Sequence, residues 1–310
     1  MLQDITKNQH YVPQFYLRLF SRDEDKKSIW VLDKYKELIY SSAIEKVASE
    51  NYFYDFPKVF ESALSQLSGQ NQFQLLERAL GHDEGTYHTA LTSIITRVDD
   101  PENFSLSVEE KEVLSYFIAC QYTRTRDFRI KMEHFFDTVI NEPLEYPSLA
   151  HSFMFADGPI DYLVDKIYDC NWLILKNTTS KSLITSDAPV CINLTNSPNK
   201  YFECVIPVSP DLILHLCNEQ EFATQHQLRV QNVFPNGIYL SELSLLEVGF
   251  YNQLQASNAD MQIFSSSEEN LQPLLQSFMN IAISEQPTCT FHIQHPLTNK
   301  NWSFINIKSK

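Results

Sequence analysis

Three polar constellations in the chain could do chemistry. The first is His10, Gln14 and Arg18. Gln14 and Arg18 are four apart, so on a helix opened by Pro13 they share a face, with His10 just ahead of it. An imidazole, an amide and a guanidinium aimed at one spot would hold an anionic group and exchange a proton with it. The competing use of the segment is packing, through Phe15, Leu17, Leu19 and Phe20. The second constellation runs from Gln121 to Lys131 and places four cations in eight residues, Arg124, Arg126, Arg129 and Lys131. Gln121, Arg124 and Thr125 fall at i, i+3 and i+4. Arginine forks suit phosphate or carboxylate because they bind bidentately; a solvated helix face neutralised by Asp127 and Glu133 would use the same residues. The third is Thr185-Ser186-Asp187 before Pro189, at the mouth of a strand. A carboxylate there can serve as a base or orient one, or cap its own turn.

The elements that must position these groups follow from periodicity. A short helix is expected from Pro13 to Phe20, then strands over 28–35 and 37–40. The period changes to 3.6 near residue 59: helices are expected over about 60–81, over Thr86 to Val98, and from Ser107 towards Ile140. Another covers 148–168, interrupted at Asp157-Gly158-Pro159. Short β-type runs follow at 172–175, 182–185, 201–206 and 212–217. Ile238 to Ala256 reads as helix, 261–264 as strand, 269–283 as helix, and 288–292 with 302–307 as a closing hairpin. This order predicts an α+β fold: a mainly antiparallel sheet with a large helical insertion. The chain reads as a single domain over 1–310, with 60–168 inserted. The strands at 28–40 are expected to join the sheet of 172–217, because two strands alone are marginal in water.

Composition narrows the chemistry. The 310 residues carry 24 basic and 39 acidic side chains, a net charge of −15. Duplex DNA would repel such a chain; an anionic small molecule or a short RNA needs only a local basic patch. Glycine occurs 6 times, and no G-x-G-x-x-G, Walker-type or G-x-S-x-G pattern is present, so dinucleotide-binding, P-loop and nucleophile-elbow chemistry has no support. The 6 cysteines are scattered and none forms C-x-x-C, which suits buried thiols in a reducing compartment. No metal is expected, since no H-E-x-x-H or comparable ligand spacing occurs, and no cofactor is expected either. The first residues, Met1 to Asp4, lack the basic and apolar regions of a signal peptide, and apolar runs fall far short of the ~20 residues of a membrane helix. A cytoplasmic location without membrane contact is expected. Arg129 and His134 show the R-x-x-x-x-H spacing of the all-helical HEPN ribonucleases, but chance supplies such a match readily and the β-rich second half argues against that fold.

The string His10-Tyr11-Val12-Pro13-Gln14-Phe15-Tyr16-Leu17-Arg18-Leu19-Phe20 resembles the opening signature of domain-of-unknown-function family 4238, His-x-Val-Pro-Gln-x-x-Leu-Arg-x-Phe. The resemblance continues in Asn51 to Tyr54, Gln121 to Arg126, Thr185 to Val190 and Pro207 to Pro210. It implies no activity. It does gather a shortlist of His10, Gln14, Arg18, Gln121, Arg124, Arg126, Ser186 and Asp187. If these converge, they form a cationic, hydrogen-bonding pocket for a phosphorylated or otherwise anionic ligand. His10 and Asp187 would be the catalytic pair of a metal-independent hydrolysis of a nucleotide or RNA phosphate. Gln14, Arg18, Gln121, Arg124, Arg126 and Ser186 would bind the ligand. The alternative is a non-catalytic sensor or interaction module using the same pocket.

Overall fold

The α+β expectation holds in a computed structural model that describes residues 5–60, 74–155, 158–193, 202–218, 232–235, 237–280, 288–294, 296 and 301–307. Strand β1 (Asn8–His10) pairs antiparallel with β4 (Ser49–Asn51). Pro13 opens α1 (Gln14–Leu17), which continues as a 3₁₀ turn through Phe20. Strands β2 (Ser28–Asp33) and β3 (Leu38–Ala43) form a hairpin. The helices of the middle of the chain are α2 (Leu75–His82), α3 (Glu84–Arg97), α4 (Val108–Thr123), α5 (Arg126–Phe135), α6 (Leu149–Phe155) and α7 (Pro159–Tyr168). The expected positions Leu64, Leu67 and Phe73 of the first helix lie outside the described residues.

The main sheet has six strands in the order β10 (Asn232–Phe234), β11 (Ile238–Glu242), β5 (Asn171–Lys176), β9 (Leu212–Cys217), β8 (Glu203–Ser209) and β7 (Cys191–Asn193). Only the β11–β5 pair is parallel among these. Both faces are covered, which explains the apolar run WLIL and the buried run LILHLC, whose one polar side chain, His215, is bonded to Glu203. Alternate residues of β5 serve opposite faces: Trp172 and Ile174 join the core beneath the helices, while Leu173 and Leu175 meet α8 (Leu245–Asn258). The first core is built from α1, β2, α3, α4 and the sheet together, with Phe20, Ile29, Leu91 and Phe117 in the same cluster as Trp172. Each such side chain contributes roughly 1.5–3 kcal/mol by leaving water.

A second sheet has the order β3, β2, β12 (Gln262–Ser265), β6 (Thr185–Ser186). The N-terminal hairpin therefore shares a sheet with residues 185–186, through β12, while β5, β7, β8 and β9 belong to the other sheet. The two sheets are tied by Tyr16 on α1. Its hydroxyl donates to the Pro207 carbonyl at 2.6 Å in one sheet and lies 2.7 Å from Thr185 Oγ1 in the other.

Two segments differ from the periodicity reading. Ile238 to Glu242 is a strand, not the start of a helix, because it lies buried beside β5 and its helical-looking spacing is that of a two-faced strand. Gly237 makes the entry possible: it has φ +69°, and a Cβ there would meet Asn171 Oδ1 at 2.8 Å. The helix then starts at a capping box, Ser244 with Glu247. The second difference is a break between α4 and α5. Thr125 is extended and caps α5, its Oγ1 accepting from the Phe128 N–H at 3.2 Å. The hairpin of β13 (Thr288–Gln294) and β14 (Asn301–Ile307) is a separate two-stranded sheet, with Ile293 and Trp302 packed in the α8 core. It does not close the main sheet.

The buried Thr123 carbonyl at the end of α4 is satisfied by His151 of α6. Its Nδ1–H donates to the Thr123 carbonyl at 2.9 Å, and its Nε2 accepts from Arg129 Nε at 3.2 Å. The ring is packed among Phe53, Tyr54 and Phe128. Burial, then Arg129, lower its pKa to about 3. An unfolded histidine titrates near 6.5, so the unfolded chain binds the extra proton between those values. The contribution of a neutral His151 is complete above about pH 6.5 and is lost as pH falls towards 3, on the order of 5 kcal/mol at ~1.4 kcal/mol per unit. His151→Gln keeps a donor and an acceptor without the titration. Urea denaturation between pH 7 and 4 should show a shallower acid loss of stability in the variant than in the wild type.

Candidate functional site

A cleft of about 980 Å³ opens between the first constellation and the α2–α3 pair. His10, Gln14, Arg18 and Arg124 all line it. From the shortlist, then, the whole first motif and one arginine of the second come together. Gln121, Arg126, Ser186 and Asp187 are not among the lining residues.

The four that converge are held differently. Arg18 is exposed, and its Nη2 donates to Gln14 Oε1 at 2.9 Å, as the i, i+4 spacing on one helix face requires. Among the described residues no carboxylate pairs with it. Arg124 is 4% exposed. Its Nη1 donates to Glu84 Oε1 at 3.2 Å, its Nη2 to the His10 carbonyl at 2.7 Å and its Nε to the Tyr54 hydroxyl at 3.4 Å, while that hydroxyl donates to Arg124's own carbonyl at 2.6 Å. The guanidinium thus links β1, α3, the end of α4 and the turn after β4. His10 sits in the cleft wall with Nε2 covered and without a partner. Burial and then the Arg124 charge lower its pKa, against the backbone carbonyls of Glu45 and Ile44, so the ring is neutral at pH 7.

The other four are spent on the fold. Gln121 is fully buried and donates to the Tyr11 carbonyl at 3.2 Å; it borders a separate cavity of about 200 Å³ that also touches Arg124. The break at Thr125 turns Arg126 away from Arg124, towards an ion pair with Asp260 and another with Glu50 at 3.2 Å. Ser186 Oγ donates to Gln255 Oε1 at 3.0 Å. Asp187, expected to orient His10 or act as a base, gives its carboxylate to the backbone instead. It accepts from the N–H groups of Asp260, Met261 and Gln262 at 2.9, 2.7 and 2.8 Å, the turn that leads into β12. Burial and the nearby Asp260 carboxyl raise its pKa, and the Met261 and Gln262 N–H groups and the Lys34 charge oppose the rise. Arg129 of the R-x-x-x-x-H spacing stacks over Phe53 at 3.6 Å and bonds its carbonyl, a packing role beside His151.

Sequence reasoning missed the opposite wall. Glu77, Gly81, Glu84, Gly85 and His88 line the cleft from α2 and α3. Their spacing of i, i+4, i+7, i+8 and i+11 is one helical face, so a stripe of polar and small residues on a helix with an apolar opposite face was the available signal. A Cβ at Gly81 or Gly85 would meet nothing within 4 Å, so both glycines leave the cleft open. Glu77 is half-buried. Burial pushes its carboxyl up to about 7 against the pull of Arg124, with Glu84 and Asp55 adding to the rise. Among the described residues no group of three or more His, Cys, Asp or Glu is placed to hold a metal ion, and no helix is long and apolar enough to cross a membrane.

Arg124→Ala would strip the His10 carbonyl and the Tyr54 hydroxyl of a buried donor and leave Glu84 unpaired. It should cost on the order of 3 kcal/mol in chemical denaturation, at the low end for broken pairs because Glu84 is partly wet. Asp187→Ala should destabilise by a similar amount, about 3 kcal/mol, by orphaning its N–H partners. An Asp187→Ala chain that melts like the wild type would contradict this assignment.

No curated protein and no solved structure matches the chain. The sequence model of the family described as a protein of unknown function, DUF4238, matches residues 8–269, and the chain belongs to that family.

Proposed function

We propose that the cleft binds a small phosphorylated or otherwise anionic molecule. The observation that carries this reading is the set of rim cations without counter-ions. Arg18, Lys26 and Lys46 are exposed in the cleft lining, and among the described residues none is paired with a carboxylate. On a chain of net charge −15, three such cations against one exposed acid of the same lining, Glu45, favour an anion there. Arg18 supplies the fork, and its bond to the Gln14 amide fixes the fork's direction without neutralising it.

A finer reading, metal-independent hydrolysis of a nucleotide or RNA phosphate, is favoured by His10. A neutral imidazole lies in the wall of the anion site with its Nε2 covered and unpartnered, so a turn of the ring towards the cleft is required before it accepts a proton from an attacking water. The role that Asp187 was expected to share falls to no other carboxylate bonded to His10 among the described residues, so His10 acts alone in this reading. The non-catalytic sensor uses the same anion contacts and lacks turnover.

Inorganic phosphate or a mononucleotide should raise the melting temperature of the wild type, by the equivalent of about 2.7 kcal/mol at a hundredfold excess over Kd. Arg18→Ala should lose that shift while leaving the ligand-free melt within about 0.5 kcal/mol of the wild type, as an exposed substitution does. Phosphate shifts of equal size in both chains would sink the anion reading. Product release from mononucleotides or short RNA, lost in His10→Ala, separates hydrolase from sensor.

A further inference from the structure

Two guanidiniums, Arg18 and Arg124, and three glutamates, Glu45, Glu77 and Glu84, line the cleft. Arg124 bonds Glu84. Asp55, the other acid near Glu77, is taken by Gln9 Nε2 at 2.6 Å and Gln74 Nε2 at 3.1 Å. Among the described residues, no hydrogen bond or ion pair reaches the Glu77 carboxyl, although it lies in the cleft wall and is half-buried. A carboxyl in this position has no protein donor to stabilise its ionised form, and two neighbouring acids oppose ionisation against the pull of Arg124.

We propose that Glu77 is an anion-contacting residue that acts in its protonated form, donating its O–H to an oxygen of the ligand. This deepens the anion-site reading and rests on it. The ligand class it selects is a tetrahedral oxyanion, whose several oxygens can accept from the Arg18 fork on one side and from a carboxylic acid on the other. Ionised Glu77 would repel the same ligand. Binding is therefore coupled to proton retention at Glu77: the anion stabilises the protonated form, and loss of the proton weakens the anion. The charged and titratable groups around Glu77 are Arg124 at the end of α4, Glu84 on α3 and Asp55 after β4, and the cleft adds His10, His88, Arg18, Lys26, Lys46 and Glu45. Protonation of either histidine also favours an anion at low pH, so the pH dependence of the wild type alone does not identify the group. The difference made by Glu77→Gln does.

Sulfate is the suitable probe because its charge stays constant between pH 6 and 8. Its affinity for the full chain, measured by thermal shift or calorimetry, should fall across that range. A single group titrating near 7 supplies up to about tenfold of this fall. Glu77→Gln keeps an N–H donor in nearly the same shape, so its sulfate affinity at pH 6 should stay within about threefold of the wild type. The part of the fall due to Glu77 should be absent. Unchanged pH dependence in Glu77→Gln overturns the role of Glu77 while leaving the anion site standing. Absence of sulfate binding to the wild type at pH 6 overturns the site itself. Should the variant not fold, ¹³C NMR of glutamate-labelled wild type tests the same coupling: the Glu77 carboxyl titration must move to higher pH on adding sulfate. A titration that does not move refutes the proposal.

Discussion

The interaction on which the structure most depends is the buried fork of Arg124. Taking a guanidinium out of water costs several kcal/mol, and the cost is offset only if its donors are nearly all used. Here Nε, Nη1 and Nη2 reach the Tyr54 hydroxyl, Glu84 and the His10 carbonyl. Those partners come from a turn, a helix and a strand far apart in sequence. The geometry of one planar group therefore sets the distance between β1 and α3, which is the width of the cleft. The break in the helix just after Arg124 belongs to the same constraint: with Thr125 extended, α4 can end at the guanidinium and α5 can leave in another direction.

The polar residues of the three motifs divide into two kinds. Asp187, Ser186, Gln121 and Arg126 meet backbone or side-chain partners inside the fold, where an unmade hydrogen bond would cost about 1–3 kcal/mol each. Arg18 and Gln14 stay at the surface and meet each other. Asp187 shows how firmly a catalytic-looking residue can be committed elsewhere: its two oxygens organise the turn into β12, the strand that joins the N-terminal hairpin to β6. Tyr16 does comparable work between the sheets. The opening motif thus carries packing residues and cleft residues in alternation, and each kind depends on the other for position.

The cleft owes its electrostatics to unequal sharing. Arg124 lowers the pKa of His10 and pairs with Glu84, while Glu77 is left in a partly desolvated wall. Two titratable groups in one cavity are pushed in opposite directions, the imidazole towards its neutral base and the carboxyl towards its neutral acid. Such separation is a physical mark of sites that handle protons. The rim cations face solvent, and one of them, Arg18, adds to the lowering at His10.

Much of the fold was legible in the residues. Alternation and the β-branched runs marked β2, β5 and β9, and Ser107 with the acids behind it marked the start of α4, which the structure closes with a capping box to Glu110. The spacing of Gln14 and Arg18 put them on one face, and the structure bonds them. The Thr125 cap was legible in principle, as a threonine followed by Asp127, but the continuing 3.6 period on both sides hid it. Ile238 to Glu242 was misread because five residues are too few to distinguish a two-faced strand from a helix. What the sequence by itself determined is what local physics decides: caps, periods, the apolar faces and the absence of glycine-rich phosphate loops. The tertiary structure alone decided which polar groups meet. Asp187 and Arg124 are equally plausible site residues as letters, and only the packing puts a backbone turn against the first and the cleft wall against the second. Glu77 lies on a helix face like any solvated glutamate; it differs because Arg124, the guanidinium whose charge acts on it, is already bonded to Glu84.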